Sequence, residues 1–222
     1  MTVSRGWKYT WALSGVLFAA FFIVGVVLGG VLSASPLPLP GAPAAEVARY
    51  YDESRTAALA AGFFQALSAI SLFVFAATVA AFVRGIAGER GTLPRLTSGG
   101  GALAAVLLLV SALLSLALVP VATGDNLALV GALRDLNFLS GGTLHVASLG
   151  LFAGAASIAA LGAKALPRWI LWLGIVAAAL SVLSLVSLVL YPASVLIPLG
   201  RLLDFVWSIA VGIVLGLGER TR

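Results

Sequence analysis

Cysteine is absent from this chain of 222 residues, histidine occurs once, at His145, and methionine stands only at position 1. Without thiols there is no structural disulfide, no iron–sulfur or thiolate zinc site, and no disulfide relay of the quinone-linked kind. A haem held by two axial side chains lacks its second ligand. His145 with Asp135 and Asp204 would be a thin set for zinc or a di-iron centre, and neither His-Glu-x-x-His nor Glu-x-x-His spacing occurs. Lysine is as scarce, since Lys8 and Lys164 both fall at the ends of apolar runs, which excludes a retinal-type Schiff base inside a span. No metal and no cofactor is expected.

Charge is scarce too. Only 9% of the residues are charged and 61% are hydrophobic, more apolar surface than a soluble globule of this length can hide, so lipid must be the solvent. The net charge of +5 does not point to nucleic acid, because the basic residues stand at the ends of apolar runs instead of forming a stripe. Phosphate-cradling loops are missing, as Gly99, Gly100 and Gly101 lack a following Lys-Ser or Lys-Thr; the triplet reads as a flexible start to a helix.

What the chain does have is six runs long enough to span a bilayer, at about 10–33, 57–83, 101–119, 137–161, 169–190 and 198–217. The first imitates a secretory signal but is too long for one. The expected fold class is all-α, a single polytopic transmembrane bundle of six helices covering 1–222, with room for three repeated hairpins. If the spans alternate, Arg5, Lys8, Arg84, Arg90, Arg95, Lys164, Arg168, Arg220 and Arg222 share one side, nine of the 13 basic residues. Six of the eight acids, Glu46, Asp52, Glu53, Asp125, Asp135 and Asp204, fall on the other. By the positive-inside rule both termini are cytoplasmic.

The first external loop opens with SPLPLPGAP, whose prolines favour an extended path, and continues as AAEVARYYDESRT, a short interfacial helix. Val47 and Tyr51, one turn apart, give it an apolar face. Tyr50, Tyr51, Tyr191, Trp11, Trp169 and Trp172 read as belt aromatics with no ligand assigned. Three Gly-x-x-x-Gly pairs, Gly25 with Gly29, Gly150 with Gly154 and Gly212 with Gly216, read as packing between helices of the same chain.

A parallel repeat links the second and third spans to the fourth and fifth. Leu93, Pro94 and Arg95 match Leu166, Pro167 and Arg168, and Gly101, Ala104, Ala105, Leu107 and Ser111 match Gly174, Ala177, Ala178, Leu180 and Ser184 at a constant offset. Counted back from the basic residue that ends each inward-running helix, Gln65, His145 and Arg201 occupy equivalent positions. Nineteen residues at 1.5 Å each place them ~28 Å from the inner anchors, near the outer edge of the hydrocarbon. Three residues further in come Ser68, Ser148 and Asp204, on the same faces.

These six form a candidate polar cluster in the outer leaflet, with Arg134, Asp135 and Asn137 as its rim. Ionisable groups at membrane depth are costly unless they pair or meet water, so the cluster invites a ligand-binding reading. In that reading Arg201 and Arg134 attract an anionic group, Asp204 and Asp135 orient the arginines, and His145 with Gln65 supplies hydrogen bonds. The alternative is structural, an Arg201–Asp204 pair snorkelling in the first turn of a helix and His145 bridging two helices.

No catalytic residue is named. A membrane hydrolase would use His145 with Ser140 or Ser148, but no Gly-x-Ser-x-Gly elbow is present. A proton-coupled transporter would use His145 and Asp204, although Pro120, Pro192 and Pro198 stand at span ends and not at the midplane where broken helices are expected. Inner halves offering little beyond Thr78 and Ser157 argue against a continuous pore.

The basic start, the stretch EVARYYDESRTAALAAGF, the Arg-rich inner loop and the basic tail make the chain resemble a family of six-span membrane proteins common in actinobacteria, a domain of unknown function. The resemblance implies architecture and a bacterial cytoplasmic membrane, and it carries no activity. The reading that results is a lipid- or small-amphiphile-binding protein or accessory subunit. Its expected partners are membrane lipids, a small polar or amphiphilic ligand, and a second copy or another membrane subunit, with a transporter or hydrolase as alternatives and the question of an enzyme leaning to no.

Overall fold

A computed structural model of the protein describes residues 9–88 and 91–217, and the side chain of Tyr191 is left out of the description. Arg5, Lys8, Arg90, Arg220 and Arg222, expected on one side of the membrane, lie outside the described residues. Among those residues there are seven helices and no strand. Six are long and apolar enough to span a membrane: α1 (Thr10–Val31), α3 (Arg55–Ala87), α4 (Thr92–Val121), α5 (Leu127–Ala163), α6 (Arg168–Leu188) and α7 (Pro192–Leu217). The seventh, α2 (Ala44–Glu53), is a short helix in the loop between α1 and α3.

Local chemistry sets the turns. Gly88 ends α3 at φ +80°, a conformation open to glycine, and Gly91 precedes the start of α4. Lys164 closes α5 in the left-handed region at φ 52°, with the Ala165 N–H reaching back to Ala160 O at 3.0 Å. Pro167 then fixes the chain for the first turn of α6.

Two helices begin earlier than the apolar runs suggest. Helix α4 runs through Gly99, Gly100 and Gly101, so the triplet is neither a loop nor a flexible start. A Cβ at Gly100 would lie 2.9 Å from the Phe152 nitrogen, and one at Gly101 only 2.5 Å from Ala76 Cβ. Close approach to α5 and α3 demands the glycines there. Helix α5 begins at Leu127, capped by Asn126, whose Oδ1 accepts from the Leu129 N–H at 3.0 Å. Arg134 and Asp135 therefore belong to a helix and not to a rim loop.

In lipid the contact between helices cannot draw on the hydrophobic effect, so close packing must supply it. All three Gly-x-x-x-Gly pairs serve this inside the chain. Gly25 and Gly29 receive Phe64 and Ala61 of α3, Gly150 and Gly154 receive Ser181 and Ala178 of α6, and Gly212 and Gly216 receive Ala12 and Leu13 of α1. One apolar core takes residues from all six spans. Phe75, Phe152 and Trp207, from α3, α5 and α7, meet edge to face with centroids 5.4–6.0 Å apart, pairings worth ~0.5–1.5 kcal/mol each beyond burial. The indole N–H of Trp207 donates to Ser157 Oγ at 3.0 Å.

Equivalent contacts accompany the sequence repeat. A Cβ on Gly101 would meet Ala76 on the preceding helix and Phe152 on the next inward-running one, and a Cβ on Gly174 would meet Ser157 and Trp207 in the corresponding places. The short helix α2 buries Val47, Tyr50 and Tyr51 against Leu118 and Val119 of α4 and Val130 of α5, so its apolar face rests on the bundle. Glu46, Arg49, Asp52 and Glu53 are exposed on its other face.

Gly150→Ala should push α5 from α6, because the new Cβ would lie 2.5 Å from Ser181 Cβ and 3.1 Å from Ala178 O. Overpacking of this kind costs ~1–3 kcal/mol, and thermal unfolding in detergent should show it as a lowered Tm. Gly99→Ala, with nothing within 4 Å of the added carbon, should be neutral or stabilising in the same assay.

Candidate functional site

Between α1 and the ends of α3, α4, α5 and α7 nearest α2 lies a cavity of about 780 Å³. It follows α1 from Phe22 to Gly30, about 12 Å of helix axis, continues along residues 33–37 of the loop that follows, and is lined there by Tyr50 and Tyr51 of α2. Four residues of the expected cluster line it: Gln65, Arg134, Asn137 and Arg201. Ser111 and Ser115 of α4 complete its polar side, while Gly25, Val26, Gly29 and Ile197 belong to its apolar wall.

The polar side is held by a relay across three helices. The Gln65 amide donates to Ser111 Oγ at 2.9 Å, and Ser111 donates to Asn137 Oδ1 at 3.2 Å. Asn137 Nδ2 in turn donates to Ser115 Oγ at 2.5 Å and to the Ser111 carbonyl at 3.2 Å. Glycine at position 141 lets α4 come this close, since a Cβ there would collide with the Ser111 side chain. Buried amides and hydroxyls in lipid must find such partners, and these find one another.

Arg201 depends on an irregularity in α5. Leu139–Leu144 form a π turn, in which the His145 N–H turns to the carbonyls of Ser140 and Gly142 instead of that of Gly141, four residues back. The Gly141 oxygen thereby opens to a donor from outside the helix, and the Arg201 Nη2 donates to it. The guanidinium also lies over the Phe22 ring, 4.8 Å from its centroid. Arg134 is held differently, its Nη2 donating to the Pro38 carbonyl of the external loop at 2.8 Å. Arg134, Asn137 and Gly141, spaced i, i+3, i+7, share one face of α5.

The acids do not orient these arginines. Asp204 is fully buried and accepts from Ser181 Oγ at 2.8 Å through Oδ2, while its Oδ1 has no partner; it makes no ion pair with Arg201 and does not line the cavity. Three residues apart on α7, the two side chains diverge, one toward α6 and one toward the π turn of α5. Asp135 is exposed and lies off the cavity, on the other side of α5 from Arg134 and Asn137.

The remaining members of the expected cluster are packed behind the cavity wall. His145 is fully buried, its Nδ1 2.8 Å from the Ala104 carbonyl of α4, its ring edge-on to Phe18 and its Nε2 without a partner. No serine hydroxyl reaches it, so the dyad that a hydrolase would need is not assembled among the described residues. Ser68 donates to the Phe18 carbonyl at 2.8 Å and ties α3 to α1. Ser148 lies where Gly100 of α4 crosses α5, its carbonyl 3.2 Å from where a Gly100 Cβ would be.

Tyr50 and Tyr51, expected as belt aromatics with no ligand, line the cavity, as do Ser111, noted in the sequence only for its place in the repeat, and Ser115, which was not singled out. The two serines, one turn apart in an otherwise apolar span, carry a legible signal; the tyrosines carry none beyond their place in an external helix. Burial pushes the phenol of Tyr51 above its ordinary pKa of 10.0, against the pull of Arg134 and of the Ser115 hydroxyl beside it. Tyr50 is raised as well, by burial and by Tyr51, so both phenols face the cavity as neutral donors.

The fold and the cavity define an all-α, multi-pass membrane protein with an amphipathic chamber at one end of the bundle. No family model, no curated protein and no solved structure matches the chain.

Asn137 is the centre of the relay, so Asn137→Ala should leave the hydroxyls of Ser111 and Ser115 short of a partner. A loss of roughly 1–3 kcal/mol is expected, read as a lowered Tm in detergent, with Ser115→Ala costing less because it removes only one end of the chain.

Proposed function

We propose that the protein binds a lipid or other amphiphile in this chamber, as a binding protein or accessory subunit of a bacterial cytoplasmic membrane. The single observation that carries the reading is the two-sided lining of the cavity. Polar groups of α3, α4 and α5 face an apolar wall built largely from α1, which is the division an amphiphile has between headgroup and chain. Val26 and Leu37, at the edge of the cavity, are 60% and 53% exposed, which suits access from the surrounding lipid. Two guanidiniums at this depth would be costly in a site that served only packing.

In the proposed orientation both termini are cytoplasmic and the chamber opens in the outer leaflet. Arg84, Arg95, Lys164 and Arg168 at the opposite end of the bundle from α2 support it through the positive-inside rule.

The test of binding is lipid analysis of the purified protein. A defined amphiphile should accompany the wild type and be lost from Gly30→Phe, because Gly30 lines the cavity and has nothing within 4 Å of an added Cβ. An unchanged lipid profile in that variant overturns the reading. Orientation has its own assay, made clean by the absence of native cysteine. Asp52→Cys, on the exposed face of α2, should react with an impermeant maleimide from outside the cell and Ala165→Cys should not; the reverse pattern inverts the proposed topology.

A further inference from the structure

We propose that the headgroup this chamber takes is a dianionic phosphate, that is, a phosphomonoester, in preference to a phosphodiester or a zwitterion. The inference rests on the amphiphile-binding reading and names its ligand class.

Charge balance carries the argument. The lining contains two cations, Arg134 and Arg201, and no carboxylate. Neither of the two acids nearest in sequence lines the cavity: Asp135 is exposed off it, and Asp204, which feels the charge of Arg201 from behind the wall, accepts its hydrogen bond from Ser181. A guanidinium has five N–H donors, yet each arginine spends only one nitrogen on the protein, at Pro38 and at Gly141, and the Nε of each is buried with no partner. Those two bonds go to neutral carbonyls, so they fix the side chains in position without cancelling their charge.

Two like charges held in one chamber of low dielectric are unfavourable until an anion joins them. A phosphomonoester brings close to two negative charges and three acceptor oxygens, enough to answer both guanidiniums. A phosphodiester leaves one positive charge unbalanced. A zwitterionic headgroup adds a third cation, and nothing acidic in the lining can receive it. Around the arginines, the Gln65 and Asn137 amides and the neutral phenols of Tyr50 and Tyr51 supply donors suited to the remaining phosphate oxygens.

The test uses the full chain in phosphatidylcholine nanodiscs doped with equal mole fractions of phosphatidic acid or phosphatidylglycerol, or supplemented with inorganic phosphate, and reads bound lipid by native mass spectrometry and stability by Tm. Phosphatidic acid should be bound about tenfold or more over phosphatidylglycerol, the worth of one additional charge-assisted hydrogen bond. Arg134→Gln and Arg201→Gln should each remove that preference while leaving some lipid bound. Arg134→Gln decides alone if Arg201→Gln fails to fold, since Arg134 bonds only to the external loop.

Equal binding of the two anionic lipids, or a preference that survives Arg134→Gln, overturns the phosphomonoester assignment while the amphiphile reading stands. Retention of none of the lipids overturns the amphiphile reading itself. A rise in Tm with inorganic phosphate matching that with phosphatidic acid keeps the phosphate chemistry and overturns the lipid as its source.

Discussion

The contact between the Arg201 guanidinium and the Gly141 carbonyl is the interaction on which the outer half of the molecule depends. A helix carbonyl engaged by its own ladder still has a second lone pair, and side chains from other helices bond to those of Phe18, Ala104 and Ser111; at Gly141 the ladder itself is irregular. The π turn at Leu139–Leu144 opens it, and the glycine at its centre removes the side chain that would keep α4 away. One local departure from regular helix thus does two things. It gives Arg201 of α7 a neutral anchor, and it brings Ser111 of α4 within reach of Asn137 and Gln65.

The buried polar residues then divide into two groups with different physical roles. Ser68, His145, Ser181 with Asp204, and Trp207 with Ser157 bond from one helix to the next inside the packed wall, which is how polar groups stitch a bundle together where water is absent. Gln65, Asn137, Arg134 and Arg201 hold similar bonds but keep a side toward the cavity. The first group explains why helices sit where they do. The second is what a ligand would meet.

The sequence made the architecture readable because lipid enforces it. Six uninterrupted apolar runs admit few alternatives to six spans, and small residues one turn apart in α1, α5 and α7 announced the close contacts that Gly25, Gly150 and Gly212 make. Counting from the basic anchors grouped Gln65 with Arg201, and both line the chamber. Direction around the helix was not readable. His145 was placed in that group by the same count back from Lys164, which fixes a position along the helix and not a direction around it, and its ring meets Ala104 and Phe18 behind the cavity wall. The pairing of Arg201 with Asp204 failed for a related reason, because i and i+3 share a face only broadly, and two neighbouring helices can each claim one side chain.

Rigidity is unevenly distributed between the two halves of the bundle. The half away from α2 closes on Phe75, Phe152 and Trp207, with glycines at 101 and 174 letting α4 and α6 come in close. The half that carries α2 gives up that packing to keep a chamber of about 780 Å³ whose lining includes Arg134 and Arg201. The contacts that hold it open come from outside the spans as much as from within them. The Pro38 carbonyl fixes Arg134, Ser54 Oγ accepts from the Ala34 N–H at 3.0 Å to fasten the start of the external loop, and Tyr50 with Tyr51 seats α2 on α4 and α5. A well-packed half away from α2 is what lets the half around the chamber remain incomplete.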